Sequence, residues 1–323
     1  MPSGADLFEL FFMGPGLLCL PFALLLPVTA FLRRRNRRRV ASIGDRAEEL
    51  IDSGQVDAGL ALLTHEADRL RRGRRSQGRV TALISLLIQH CNEALTVGRT
   101  DAARAAAAEA VELSATLYPT GMPRAHALFA LGRTLARLGD DDAACRHLQQ
   151  SVVIADADGS DPHGRVLFAA NASMVLRRVG DTPAALAMAT RAVHLELSTP
   201  PAPQPFVQAG RGWTHAALAL AQTDSGLDGR AAARTALETF RRLDQEKIIV
   251  DGEGIALTCY IAAYAGHRQG DGQALDLARE SVDRFSKLAG PGDALHQRRR
   301  ADAERLLAEI TSDRAVTPVE DLR

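Results

Sequence analysis

Carboxylates, imidazoles and thiols are the side chains that could do chemistry here, and their spacing decides whether they can act together. Asp140, Asp141 and Asp142 form a run that could ligate a cation. Three acids directly after Gly139 also suit the free amides and positive dipole end of a starting helix, and capping is the stronger reading. Asp156, Asp158 and Asp161 mimic the opening of a calcium loop. Such a loop needs glycine where Asp161 stands and a bidentate acid where Leu167 stands, so it is rejected. Gly252-Glu253-Gly254 lacks the third glycine and the preceding strand of a dinucleotide loop. The nine histidines contain no H-E-x-x-H or H-x-x-x-H pair, and no G-x-S-x-G turn occurs. Asn171-Ala172-Ser173 is a glycosylation sequon in letters only, inside a helical pattern. Cys19, Cys91, Cys145 and Cys259 are isolated, as suits a reducing compartment rather than a disulfide framework. No acid, base, nucleophile and metal set converges. The expectation is a binding protein with no cofactor, not an enzyme.

Charge is distributed unevenly. Arg33, Arg34, Arg35, Arg37, Arg38 and Arg39 supply +6, and Asp6 and Glu9 supply −2. The formal net charge is zero, so residues 40–323 carry −4, and no nucleic-acid partner is expected for them. The arginine run abuts Leu10 to Leu32, which has no charged residue. As a helix this segment would span about 35 Å, enough to cross a bilayer core. The basic flank follows the apolar run rather than preceding it. That favours an uncleaved membrane anchor over a signal peptide, with the amino terminus outside and the remainder at the cytoplasmic face. Pro15, Pro21 and Pro27 imply a kinked or partly re-entrant span. A secreted protein with a cleaved leader is the rival reading.

Most of the chain is periodic. Gly54, Gly98, Gly139, Gly180, Gly226 and Gly270 recur every 41 to 46 residues, each between amphipathic stretches rich in alanine and leucine. Leu128, Leu131, Leu135 and Leu138 mark one face of a helix that Gly139 ends. Ala144, Leu148, Ser151 and Val152 mark the inner face of the next helix. The same grammar surrounds the other glycines and is weakest around Gly54. The expected fold is all-α: a right-handed α-solenoid of six helical hairpins and a capping helix over residues 40–311, preceded by one transmembrane helix in residues 1–39. The proline-rich segment 199–205 interrupts the array as an inter-repeat loop or a hinge. Residues 312–323 have the composition of a disordered tail.

Leu128, Leu131, Gly132, Leu135, Gly139, Ala144 and Leu148 resemble the signature of the tetratricopeptide repeat. Ser151 stands where that family usually has alanine, and Asp156 where proline is common. The period exceeds the family's usual length of about 34 residues and is similar to that of long-period kinesin light chain-like and actinobacterial members. The resemblance covers residues 41–311 and implies a scaffold that binds a protein or peptide. It also implies a concave groove lined by first-helix residues: Asn92 and Thr96, Arg133 and Arg137, Met174 and Arg178, Tyr264 and Arg268, with Arg177 and His267 adjacent. Such a groove would be basic at its centre and would suit an acidic or carboxylate-ended peptide. A ligand-responsive regulatory sensor built on the same array is the alternative.

Overall fold

The computed structural model describes residues 39–51, 53–73, 76–200, 205–247, 252–289 and 294–312. The proposed anchor at residues 10–32, Arg33 to Arg38 of its flank, residues 201–204 and the tail from 313 onward lie outside the described residues. Among the described residues every regular element is helical, and no helix is long and apolar enough to cross a membrane. The helices are α1 (39–51), α2 (Val56–Arg72), α3 (Gln77–Thr96), α4 (Thr100–Leu117), α5 (Met122–Leu138), α6 (Asp141–Asp158) and α7 (Pro162–Arg178). They continue as α8 (Thr182–Ser198), α9 (Pro205–Asp224), α10 (Arg230–Gln245), α11 (Gly252–Arg268), α12 (Ala274–Leu288) and α13 (Ala294–Thr311). The chain divides into two compact units, Met1–Pro119 and Thr120–Arg323.

Turn chemistry sets the helix ends. All six periodic glycines have positive φ, between 69° and 82°. At Gly139, where φ is 82°, an added Cβ would meet no neighbour within 4 Å. The need for glycine there comes from the left-handed backbone, not from space. Asp140 then caps α6 by accepting a hydrogen bond from the Ala143 amide (3.2 Å), and Asp181 caps α8 through Ala184 (3.1 Å). The acidic run after Gly139 is thus a helix start. Gly159 also adopts positive φ and ends α6, a turn outside the glycine series.

In the first unit α2 packs on α3 and α3 on α4. Gly59 of α2 lies against Ala47 and Ile51 of α1, where a side chain would collide with both. Arg39, the last residue of the basic run, belongs to α1, and its Nε donates to Glu66 Oε1 on α2 at 3.0 Å. Burial pushes the Glu66 carboxyl up, but the guanidinium groups of Arg69 and Arg39 outweigh it and hold the pKa below the ordinary value. A buried carboxylate needs such partners, which is why the array recruits an arginine from the basic run.

In the second unit the helices pair as α5 with α6, α7 with α8, α9 with α10 and α11 with α12, and α13 packs on α12 and α11. Small residues bring the helices close. A Cβ on Gly132 would fall 2.7 Å from Leu148 Cγ, so α5 approaches α6 at that point. Ala144, Ala185, Ala189 and Ala192 are fully buried in the same kind of seam. Ser173 donates to the Ala185 carbonyl and Ser281 to the Ala256 carbonyl, both at 2.8 Å, tying α7 to α8 and α12 to α11. Ser151 is buried and donates to Leu148 within its own helix (2.7 Å), so a hydroxyl is tolerated where alanine is usual. Consecutive first helices touch: α5 with α7, α7 with α9, and α9 with α11. Second helices are linked by long charged side chains, Arg191 of α8 to Asp156 of α6 and Arg241 of α10 to Glu280 of α12. The first helices therefore form the inner face of this unit.

Candidate functional site

Eleven residues are close to three helical turns, so side chains at that separation share a face. His126 and Arg137 are so related on α5, and Leu167 and Arg178 on α7, with Arg133 and Met174 between them. His126, Arg133, Leu167 and Met174 are each less buried than both of their chain neighbours, and with Arg137 and Arg178 they form the open stripe of the inner face.

The carboxyl-terminal end of this stripe is basic. Arg133 lies over the Phe129 ring, 5.5 Å from its centroid. Arg178 donates to the Ala136 carbonyl (3.1 Å) and pairs with Asp141, which fixes it against α5 and α6. Arg137 is half-buried and has no hydrogen bond or ion pair to any described residue. Burial first, and then the neighbouring Arg178 charge, pull its pKa below the ordinary guanidinium value. A guanidinium stays cationic at neutral pH, and here no described residue supplies it with an anion.

The amino-terminal end of the same stripe opens into a cavity of about 550 Å³ between α7, the end of α8 and the start of α9. Asp161 stands at its edge. It caps α7 by accepting from the Gly164 amide (2.8 Å) and faces His126 Nε2 at 3.2 Å. The His126 bond outweighs burial and holds the Asp161 carboxyl below its usual range. Glu196 accepts from Arg211 Nε (2.7 Å) and lies 3.2 Å from His215 Nε2. Burial raises its pKa, His215 and Arg211 lower it further, and the carboxylate stays ionised. Both acids thus have positively charged or imidazole neighbours, with Glu196 Oε2 buried and accepting no hydrogen bond. The apolar lining includes Val166, Leu167, Leu197 and Val207.

Arg177, Tyr264, His267, Arg268, Asn92 and Thr96 do not join this stripe, and Met174, which does, is partly covered. Arg177 and Tyr264 are buried, not groove-lining: Arg177 Nη1 donates to Asp224 Oδ2 (3.0 Å) and the Tyr264 hydroxyl to Asp224 Oδ1 (2.7 Å). Asp224 draws both inward because α7, α9 and α11 touch at that level. Met174 packs partly against the core made by these helices. His267 is half-buried and Arg268 exposed on α11. Asn92 and Thr96 are exposed on α3 in the other unit, with the Thr96 hydroxyl bonded to the Asn92 carbonyl at 3.1 Å.

The acids considered for metal chemistry are occupied. Asp156 pairs with Arg165 and Arg191, Asp158 accepts from the Met122 and Ser160 amides, and Asp161 is a helix cap. No cluster able to hold a metal ion occurs among the described residues. Asn171 lies within α7 and its side chain donates to the Leu167 carbonyl. The cavity was not foreseen. Its one trace in the sequence is the glycine spacing, which lengthens from 41 to 46 residues between Gly180 and Gly226, where the proline-rich segment is inserted.

The sequence matches no protein-family model and no curated protein. Among solved structures, the apo form of RapI is similar, with a TM-score of 0.52 at 15% identity over 85% of this chain and 71% of that one. A putative kinesin light chain from Podosopora anserina with nearly identical TPR-like repeats gives a TM-score of 0.44 at 16% identity, over 66% of this chain and 99% of that one. A point-substituted form of that protein gives 0.45 at 17%, over 65% and 97%. At such identity the likeness to RapI is one of fold. Among the described residues that fold is an all-helical array of paired helices.

Proposed function

We propose that this chain is a membrane-tethered scaffold that holds an acidic protein or peptide segment on the inner face of its second unit, and that it is not an enzyme. The observation that carries the reading is Arg137, a half-buried cation beside Arg178 with no anion among the described residues to answer it. A carboxylate from a partner would complete it, and a guanidinium takes a carboxylate through two parallel hydrogen bonds. The tether would be residues 10–32, with Arg33, Arg34, Arg35, Arg37 and Arg38 keeping the array cytoplasmic.

Peptide display selection on the full chain tests the binding reading. Selected peptides are expected to be rich in Asp and Glu. Arg133→Glu combined with Arg137→Glu should weaken them at least tenfold with helicity unchanged by circular dichroism. Equal binding by that variant removes the inner face as the site. Deleting residues 1–38, which spares the Arg39–Glu66 pair, should release the protein from carbonate-washed membranes. Retention in the pellet rejects the tether.

A further inference from the structure

We propose that the cavity between α7, α8 and α9 is an anchor pocket for one large apolar side chain of the same bound segment, set about five residues from the acid that reaches Arg137. The inference rests on the inner face being the peptide site.

Three observations carry it. The first is alignment. His126 and Leu167 at the cavity share helix faces with Arg137 and Arg178, eleven residues further along α5 and α7. Eleven residues of helix rise about 16 Å, and an extended chain covers that in about five residues. The second is chemistry. Leu197 is 72% exposed and Leu167 37%, so apolar wall is left open to solvent at the cavity. Asp161 accepts from His126 and the Gly164 amide, and Glu196 accepts from Arg211 through Oε1 with His215 3.2 Å from Oε2. The cavity therefore offers apolar surface to a bound side chain, and its lining guanidinium, Arg211, is already paired with Glu196, so it gives an acidic side chain no unanswered cation. The segment is oriented as a result, with its acid toward Arg137 and its apolar residue toward Leu167. The third is space. Gly210 lines the cavity from α9, and a Cβ built there meets nothing within 4 Å. The volume of about 550 Å³ lies in the range of sites that enclose a bound group.

The test uses the full chain and acetylated, amidated peptides carrying one leucine and a pair of aspartates, separated by one, four or eight Gly/Ser residues. The four-residue spacer should bind tightest, and leucine to serine in that peptide should weaken it about tenfold or more. Gly210→Leu adds apolar bulk at a helical position of the lining where a Cβ meets no neighbour. It should erase the preference for leucine over serine, keep the dependence on aspartate, and leave the melting temperature unchanged or raised. Indifference to spacer length, or an unaltered leucine preference in Gly210→Leu, overturns the anchor pocket. Arg137→Glu separates the two ideas. If it weakens the peptides while leucine is irrelevant, only the pocket fails; if it changes nothing, the inner-face reading fails and the pocket with it.

Discussion

Asp224 shows how one side chain can outrank a pattern. It accepts from both Arg177 and Tyr264, and burial followed by the Asp224 hydrogen bond pushes the Tyr264 hydroxyl well above its usual pKa. All three sit where α7, α9 and α11 meet, so they hold the angle between repeats rather than a ligand. Removing one member of a buried ion pair strands the other. Asp224→Ala should therefore destabilise by about 3 kcal/mol, measured by urea unfolding, whereas Arg177→Leu combined with Asp224→Leu should cost much less. Tyr264→Phe should cost about 1 kcal/mol because it removes one hydrogen bond and little volume. If Asp224→Ala melts like the parent protein, the triad is not structural. Arg178, one residue along, projects about 100° around the helix and stays on the open stripe.

Helix ends and helix seams make different demands on glycine. Gly139 needs the left-handed backbone, so Gly139→Val should cost about 1–2 kcal/mol although its surroundings are empty. Gly210 lies inside α9 with ordinary helical backbone and open space, so Gly210→Ala should stabilise by up to about 1 kcal/mol. Opposite signs for the two substitutions in thermal melts would support the turn assignment, and like signs would refute it. Ala144 is fully buried between α5 and α6. Ala144→Phe should overpack that seam and cost about 1–3 kcal/mol.

Acid should weaken the whole molecule in two stages. Burial, with Arg71 nearby, lowers the pKa of His90, and burial, with Arg146 and Arg124, lowers that of His147. The unfolded chain then binds more protons below about pH 6.5, and stability falls as pH drops through that region. Glu66, Glu196 and Glu280 are raised by burial but lowered further by their cationic partners, so each is depressed overall. Their contribution is present above the unfolded value of 4.5 and is lost as pH falls through the folded values. Calorimetry across pH 8 to 3 should show melting temperature declining first below about pH 6.5 and again below about pH 4.5. His147→Gln should flatten the first decline and Glu280→Gln the second. A flat profile above pH 5 would contradict the histidine contribution.

Helix order, turn glycines and the caps at Asp140 and Asp181 were readable from the chain because each depends on residues within a few positions of one another. Leucine and alanine at 3- and 4-residue spacing define a helix face, and glycine before an acid ends one helix and starts the next. Arg137 could be named as a groove residue in the same way, from its place in the repeat. The absence of a counter-ion around it could not, because that depends on where Arg178 and Asp141 settle. Nor could the burial of Arg177, whose partner lies 47 residues away, or the capture of Arg39 by Glu66 across 27. The cavity belongs to the same class. It lies between the start of α7, the end of α8 and the start of α9, and the distance between helix ends is set by packing across the unit, not by any local run of residues.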